Sequence, residues 1–87
     1  MVTQKVVVKN KSGLHMRPAG IFAKSAASFD SAVNFSFNGT IYNAKSLLRV
    51  ISATVKCGDE IELRAEGADQ EECIKTLTEL VESGLGE

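Results

Sequence analysis

The 87-residue chain has no tryptophan and only one tyrosine, one proline and one histidine. A closed structural zinc site takes four nitrogen or sulfur ligands. One histidine with the widely separated Cys57 and Cys73 cannot supply them, so neither a metal nor a cofactor is expected. Neither sign of charge dominates: 10 basic and 11 acidic residues leave a net charge of −1. Broad nucleic-acid binding draws on a strong basic excess that displaces counterions, so no direct nucleic-acid partner is expected. No apolar run approaches the roughly 20 residues that a bilayer crossing requires, and the first residues lack a signal peptide's hydrophobic stretch. With 44% hydrophobic and 24% charged residues, the expectation is a cytoplasmic protein with reduced cysteines and no membrane insertion.

What is present is patterned. The length suits a single domain, 1–87, with one modest core. Val6 and Val8 alternate with polar neighbours in a first strand. In AVNFSF (32–37), Val33, Phe35 and Phe37 fall on one face. Asn38-Gly39 follows, two residues that tolerate positive φ and so favour a tight hairpin, and Thr40 to Asn43 returns. In EIELRAE (60–66), Ile61, Leu63 and Ala65 share a face. Strands with one apolar face make an antiparallel sheet that is covered on one side only.

Three helical segments can supply the cover. Between Met16 and Ala27, the residues Ala19, Phe22, Ala23 and Ala26 form an apolar stripe. Ser46 is suited to capping a shorter helix that runs to about Ala53. Asp69 opens a third, with Glu72 placed as in a capping box, Ile74, Leu77 and Val81 on one face, and Gly84 as terminator. The order βαββαβα predicts an α+β open-faced sandwich, a four-stranded antiparallel sheet covered on one face by three helices.

The chemistry concentrates in GLHMRPAG, residues 13–20. Pro18 lacks an N–H and is tolerated only in a helix's first turn, which puts His15 at or beside the N-cap. There the following amides have no helical partners, and the helix dipole favours an anion. Arg17 adds a permanent cation whose donors match phosphate oxygens. A neutral imidazole in this setting keeps the lone pair that an attack on phosphorus needs. No neighbouring carboxylate stands ready to activate water, so the pattern suits holding a phosphoryl group and passing it on. The plainer alternative is a surface histidine that merely caps its helix.

GLHMRPA resembles the active-site signature of HPr, the histidine-containing phosphocarrier of the bacterial phosphoenolpyruvate-dependent sugar phosphotransferase system. The resemblance extends through AKSLL (44–48), GDEIELRAEGAD (58–69) and the closing GLGE. It implies that His15 accepts phosphate through Nδ1 from phosphorylated enzyme I and donates it to the enzyme IIA unit of a sugar permease, with Arg17 assisting. The protein is then a phosphotransfer intermediate, a monomer, rather than a stand-alone enzyme. Both partners would meet one surface, drawn from Met16, Gly20 and Lys24 on the first helix and from Leu47, Leu48, Arg49 and Ile51 on the second. One of Leu47, Leu48 and Ile51 is expected to be core.

In many Gram-positive relatives a serine in the segment of Ser46 is phosphorylated by an ATP-dependent kinase, which implies two further partners, an HPr kinase/phosphorylase and a catabolite-control transcription regulator. Some relatives with a basic residue nearby lack this switch. Here Arg49 replaces a frequent glycine, Ala53-Thr54 a frequent Leu-Gly, and Met16 a common alanine. Arg49 could pair with a phosphate on Ser46 or hinder the kinase. Ser12 is expected to support the turn before His15. Two alternatives stay open: a regulatory paralogue in a nitrogen-related phosphorelay, and a non-catalytic interaction module acting through Leu47, Leu48 and Ile51.

Overall fold

Alternation in the strands sets the sheet. A computed structural model describing residues 1–87 has the elements β1 (Val2–Val7), α1 (Met16–Ala27), β2 (Ala32–Phe37), β3 (Thr40–Asn43), α2 (Leu47–Ser52), β4 (Glu60–Glu66) and α3 (Gln70–Glu82). The four strands form one sheet in the order β1-β4-β2-β3, every neighbouring pair antiparallel. Register puts Val6 opposite Ile61, Val33 opposite Ala65 and Phe35 opposite Leu63. All six are buried, because a two-residue side-chain period sends each to the same face. Asn38 and Gly39 turn the β2–β3 hairpin with φ of 51° and 80°, the doubly positive pair that matches strand twist.

The helices cover that apolar face. Phe22 of α1 meets Phe35 edge-on at 5.8 Å, and Phe35 stacks on Tyr42 of β3 at 5.3 Å. An aromatic file thus runs from helix to edge strand. One cluster of 21 buried apolar residues includes Ala19, Phe22, Ala23 and Ala26 from α1, with Cys73, Ile74, Leu77 and Val81 from α3.

Two local expectations need correction. In α2 the buried residue is Val50, while Leu47 and Leu48 are exposed and Ile51 is only half-buried. A six-residue helix has too few turns to reveal its inner face by periodicity. In α3 Asp69 is the N-cap, but it makes no side-chain capping bond and no capping box with Glu72. Its carboxylate instead accepts from the amides of Asp30 and Ser31, each at 2.9 Å, and from the Ser31 hydroxyl. The turn after α1 is thereby stitched to the turn after β4. Gly67 permits the close approach, since a Cβ there would lie 2.7 Å from Ser31 Cα.

The tail beyond α3 folds back. Gly84, Leu85 and Gly86 have φ of 96°, 52° and 83°, a left-handed run in which only Leu85 pays a Cβ penalty. Burial of Leu85 in the core compensates. Its amide donates to the Leu80 carbonyl at 3.1 Å, and the reversal carries Glu87 toward the loop between β1 and α1.

Candidate functional site

That loop is built by close packing. Gly13 has φ of 63°, and a Cβ at this position would run into the Val55 carbonyl and the Lys56 backbone. Only glycine allows the two segments to meet. The Leu14 amide then donates to the Val55 carbonyl at 2.9 Å, and the Leu14 side chain is buried. With its neighbour anchored on both sides, His15 enters α1 as the N-cap in extended backbone, φ −79° and ψ −175°.

The His15 side chain makes no capping bond and is exposed. Its carbonyl accepts the first helical bond, from the Ala19 amide at 2.8 Å. Helix geometry leaves the amides of Met16 and Arg17 without intrahelical partners, and buried Pro18 has none to offer. Arg17 is exposed beside them, and α1 carries no acidic residue in its first turn to oppose an anion. A hollow of about 290 Å³ adjoins the ring, lined by Ser12, Leu14, His15, Ile51, Thr54, Val55 and Lys56. Imidazole, first-turn amides and the Arg17 side chain thus belong to one open helix end whose first turn carries no acidic residue.

Ser12 does support the turn. Its amide and hydroxyl donate to the Glu87 carboxylate at 3.2 and 2.7 Å, and Asn10 Nδ2 donates to the same group at 3.0 Å. Asn10 Nδ2 also donates to the Gly13 carbonyl at 2.7 Å. These bonds, that from Ser12 Oγ foremost, hold the Glu87 carboxyl below its ordinary range, with a smaller contribution from the charge on Arg17. Sequence reasoning missed Asn10, Thr54, Lys56 and Glu87. The glycines flanking Leu85 were the one available sign that the tail turns back.

The remaining candidates sort by exposure. Met16 is 64% exposed, Gly20 is half-exposed, and Lys24 is exposed. They follow one line along α1, and a Cβ on Gly20 would touch nothing. Leu48 is 79% exposed, α2 packs against α1, and Ile51 lines the hollow beside His15. The Arg49 guanidinium sits 5.5 Å from the centre of the Tyr42 ring, a cation–π contact. Ser46 caps α2, its hydroxyl oxygen accepting from the Arg49 amide at 3.3 Å.

A family model described as the PTS HPr component phosphorylation site matches residues 2–83. The chain belongs to the HPr family. Among curated relatives, the HPr-like protein Crh of Bacillus subtilis is 40% identical over 82 residues, covering 94% of this chain and 96% of Crh. The phosphocarrier protein HPr of Borreliella burgdorferi is 35% identical, covering 95% and 96% of the two chains. The crystal structure of HPr-C-His from Thermoanaerobacter tengcongensis superposes with a TM-score of 0.96 at 41% identity over 100% of this chain and 98% of that one. An HPr dimer from the same organism superposes at 0.80. The open-faced sandwich is therefore the HPr fold, and the chain is a phosphocarrier-family protein of the phosphotransferase system.

Proposed function

We propose that His15 is the phosphoryl acceptor, taking the group from phosphorylated enzyme I and giving it to enzyme IIA units of sugar permeases. One observation carries this reading: His15 caps α1 with its backbone while its ring makes no capping bond and stands in solvent. In the accepting step a bond forms between Nδ1 and phosphorus as the donor's bond to phosphorus breaks. In the donating step the Nδ1–phosphorus bond breaks toward the acceptor. Arg17 and the free amides of the first turn offset the negative charge on the transferred group. None of the residues lining the hollow is a carboxylate, and the nearby Glu87 carboxylate is engaged by three donors from Asn10 and Ser12, so water gains no free general base. This suits a stoichiometric carrier.

Exposure follows from the task. Two different active sites must reach one nitrogen in turn, and a ring on a protruding helix end serves both. Met16, Gly20 and Lys24 with Leu47, Leu48, Arg49 and Ile51 form the docking surface, an apolar centre with cations around it. The protein acts as a monomer in this reading. Size-exclusion chromatography across a concentration series checks that, the solved Thermoanaerobacter dimer being the alternative.

The test supplies phosphoenolpyruvate and enzyme I. One acid-labile phosphate should form on the wild type and none on His15→Ala; equal labelling of both removes His15 from the mechanism.

A second reading draws on the likeness to Crh, one of whose crystal structures names it a catabolite repression protein. Ser46 is then a regulatory phosphorylation site read by an HPr kinase/phosphorylase and a catabolite-control regulator. Ser46 is half-buried at the helix start. A phosphate there would add about −1.5 to −2 charge next to the docking surface. With kinase and ATP, an alkali-labile phosphate should form on wild type and be absent from Ser46→Ala.

A further inference from the structure

We propose that Glu87 is a positioning residue for phosphoryl transfer: its side-chain carboxylate holds the loop that presents His15 and acts through Ser12. The proposal rests on the reading of His15 as acceptor and adds a residue distant from it in sequence.

Every side-chain hydrogen bond of Glu87 goes to that loop. The carboxylate takes the Ser12 amide, the Ser12 hydroxyl and Asn10 Nδ2 at 3.2, 2.7 and 3.0 Å. Asn10 is a buried polar residue whose own Oδ1 finds no partner, so its placement is held by what its Nδ2 meets, Glu87 and the Gly13 carbonyl. Gly13 and Leu14 are clamped on Val55. Residues 10 to 14 are therefore fixed from two sides, by the tail and by the segment after α2, and His15 comes next.

The tail is shaped for this reach. Three consecutive positive φ values turn it back, Leu85 anchors it in the core, and Gly86 passes so close to Ile21 that a Cβ would lie 3.0 Å from its Cδ1. The result puts a carboxylate on the donors of the loop just before His15. Before transfer, Glu87 orders the loop that aims the ring.

The experiment uses this protein as phosphoryl acceptor of enzyme I, with phosphoenolpyruvate as source. Glu87→Gln keeps the size but halves the acceptors and removes the charge. The rate at saturating carrier should fall roughly three- to tenfold, with KM unchanged. Ser12→Ala, which leaves the tail's sequence intact, should give a similar loss. The double variant should be no worse than the poorer single one, because both break one connection. In amide spectra, the Ser12 resonance should move in Glu87→Gln while the core resonances stay. A wild-type rate in Glu87→Gln overturns the proposal. So does a loss that appears only in KM, which would make Glu87 a docking residue, and so do additive losses in the double variant. A wild type that accepts no phosphoryl group at all brings down the acceptor role of His15 itself, a different failure read in the same assay.

Discussion

Helices α1 and α2 lie against each other and begin in the same way, each with an extended-backbone residue whose side chain could cap the first turn. Ser46 does so, its hydroxyl oxygen accepting the Arg49 amide. His15 does not. A side chain that satisfies its own helix contributes stability locally; one that makes no such bond is left for a partner. The two helix starts therefore separate structure from chemistry within one small protein, and substitutions at each should separate them in measurement.

The largest expected effect is the loss of phosphoryl acceptance in His15→Ala, well beyond a thousandfold, since no other imidazole exists in the chain. Stability should hardly change, within about 0.5 kcal/mol, because the side chain is exposed and makes no capping bond. Thermal unfolding read beside the transfer assay checks both halves. A marked drop in stability would mean that the histidine caps its helix after all, and the contrast with Ser46 would fail.

Next comes the loop that delivers His15. Gly13→Ala puts a methyl group into the Val55 carbonyl and the Lys56 backbone at a positive φ. A loss of about 2–4 kcal/mol is expected. Unlike His15→Ala, this variant should lose stability and transfer together. Denaturant unfolding that matched wild type would show that the loop can move away from Val55 freely.

Ser46→Ala should do the reverse of His15→Ala. Loss of the cap should cost about 1 kcal/mol, while acceptance from enzyme I stays close to wild type. A strong fall in transfer would make Ser46 part of the phosphoryl site rather than of α2.

How far such contrasts could be read before the fold was known depends on the range of the interactions. The strands were legible because alternation is local: Val33 and Phe35, Ile61, Leu63 and Ala65 all face the core. Pro18 placed the start of α1 because its missing N–H is a local constraint. Val50 was not legible, since one and a half turns of helix do not define a face. Nor were the partners of Asp69 and Glu87. Each carboxylate bonds a segment far away in sequence, and no spacing rule connects residues that only the completed fold brings together. Half of the site, the ring and its helix end, was written in one short motif. The clasp that steadies it was distributed along the chain.

The third helix start gives the smallest effect and sharpens the comparison furthest. The Asp69 side chain neither caps α3 nor stands free; its carboxylate holds the Asp30 and Ser31 amides and the Ser31 hydroxyl. Those bonds, that from Ser31 Oγ foremost, hold its carboxyl below the ordinary aspartate range. A lowered value in the folded state means that the unfolded chain binds more protons across the window between the two values, so stability rises with pH there. The contribution is complete above the unfolded value, near pH 4, and is lost as pH falls through the folded one. Glu87 adds to the same acid limb for the same reason. Chemical unfolding of Asp69→Asn should therefore show lower stability than wild type at pH 7, a difference that narrows steadily below about pH 4. Its acid limb should keep the slope due to Glu87, which Glu87→Gln would remove. A constant gap down to the most acid pH would mean that the geometry of Asp69, and not its charge, ties the two turns together.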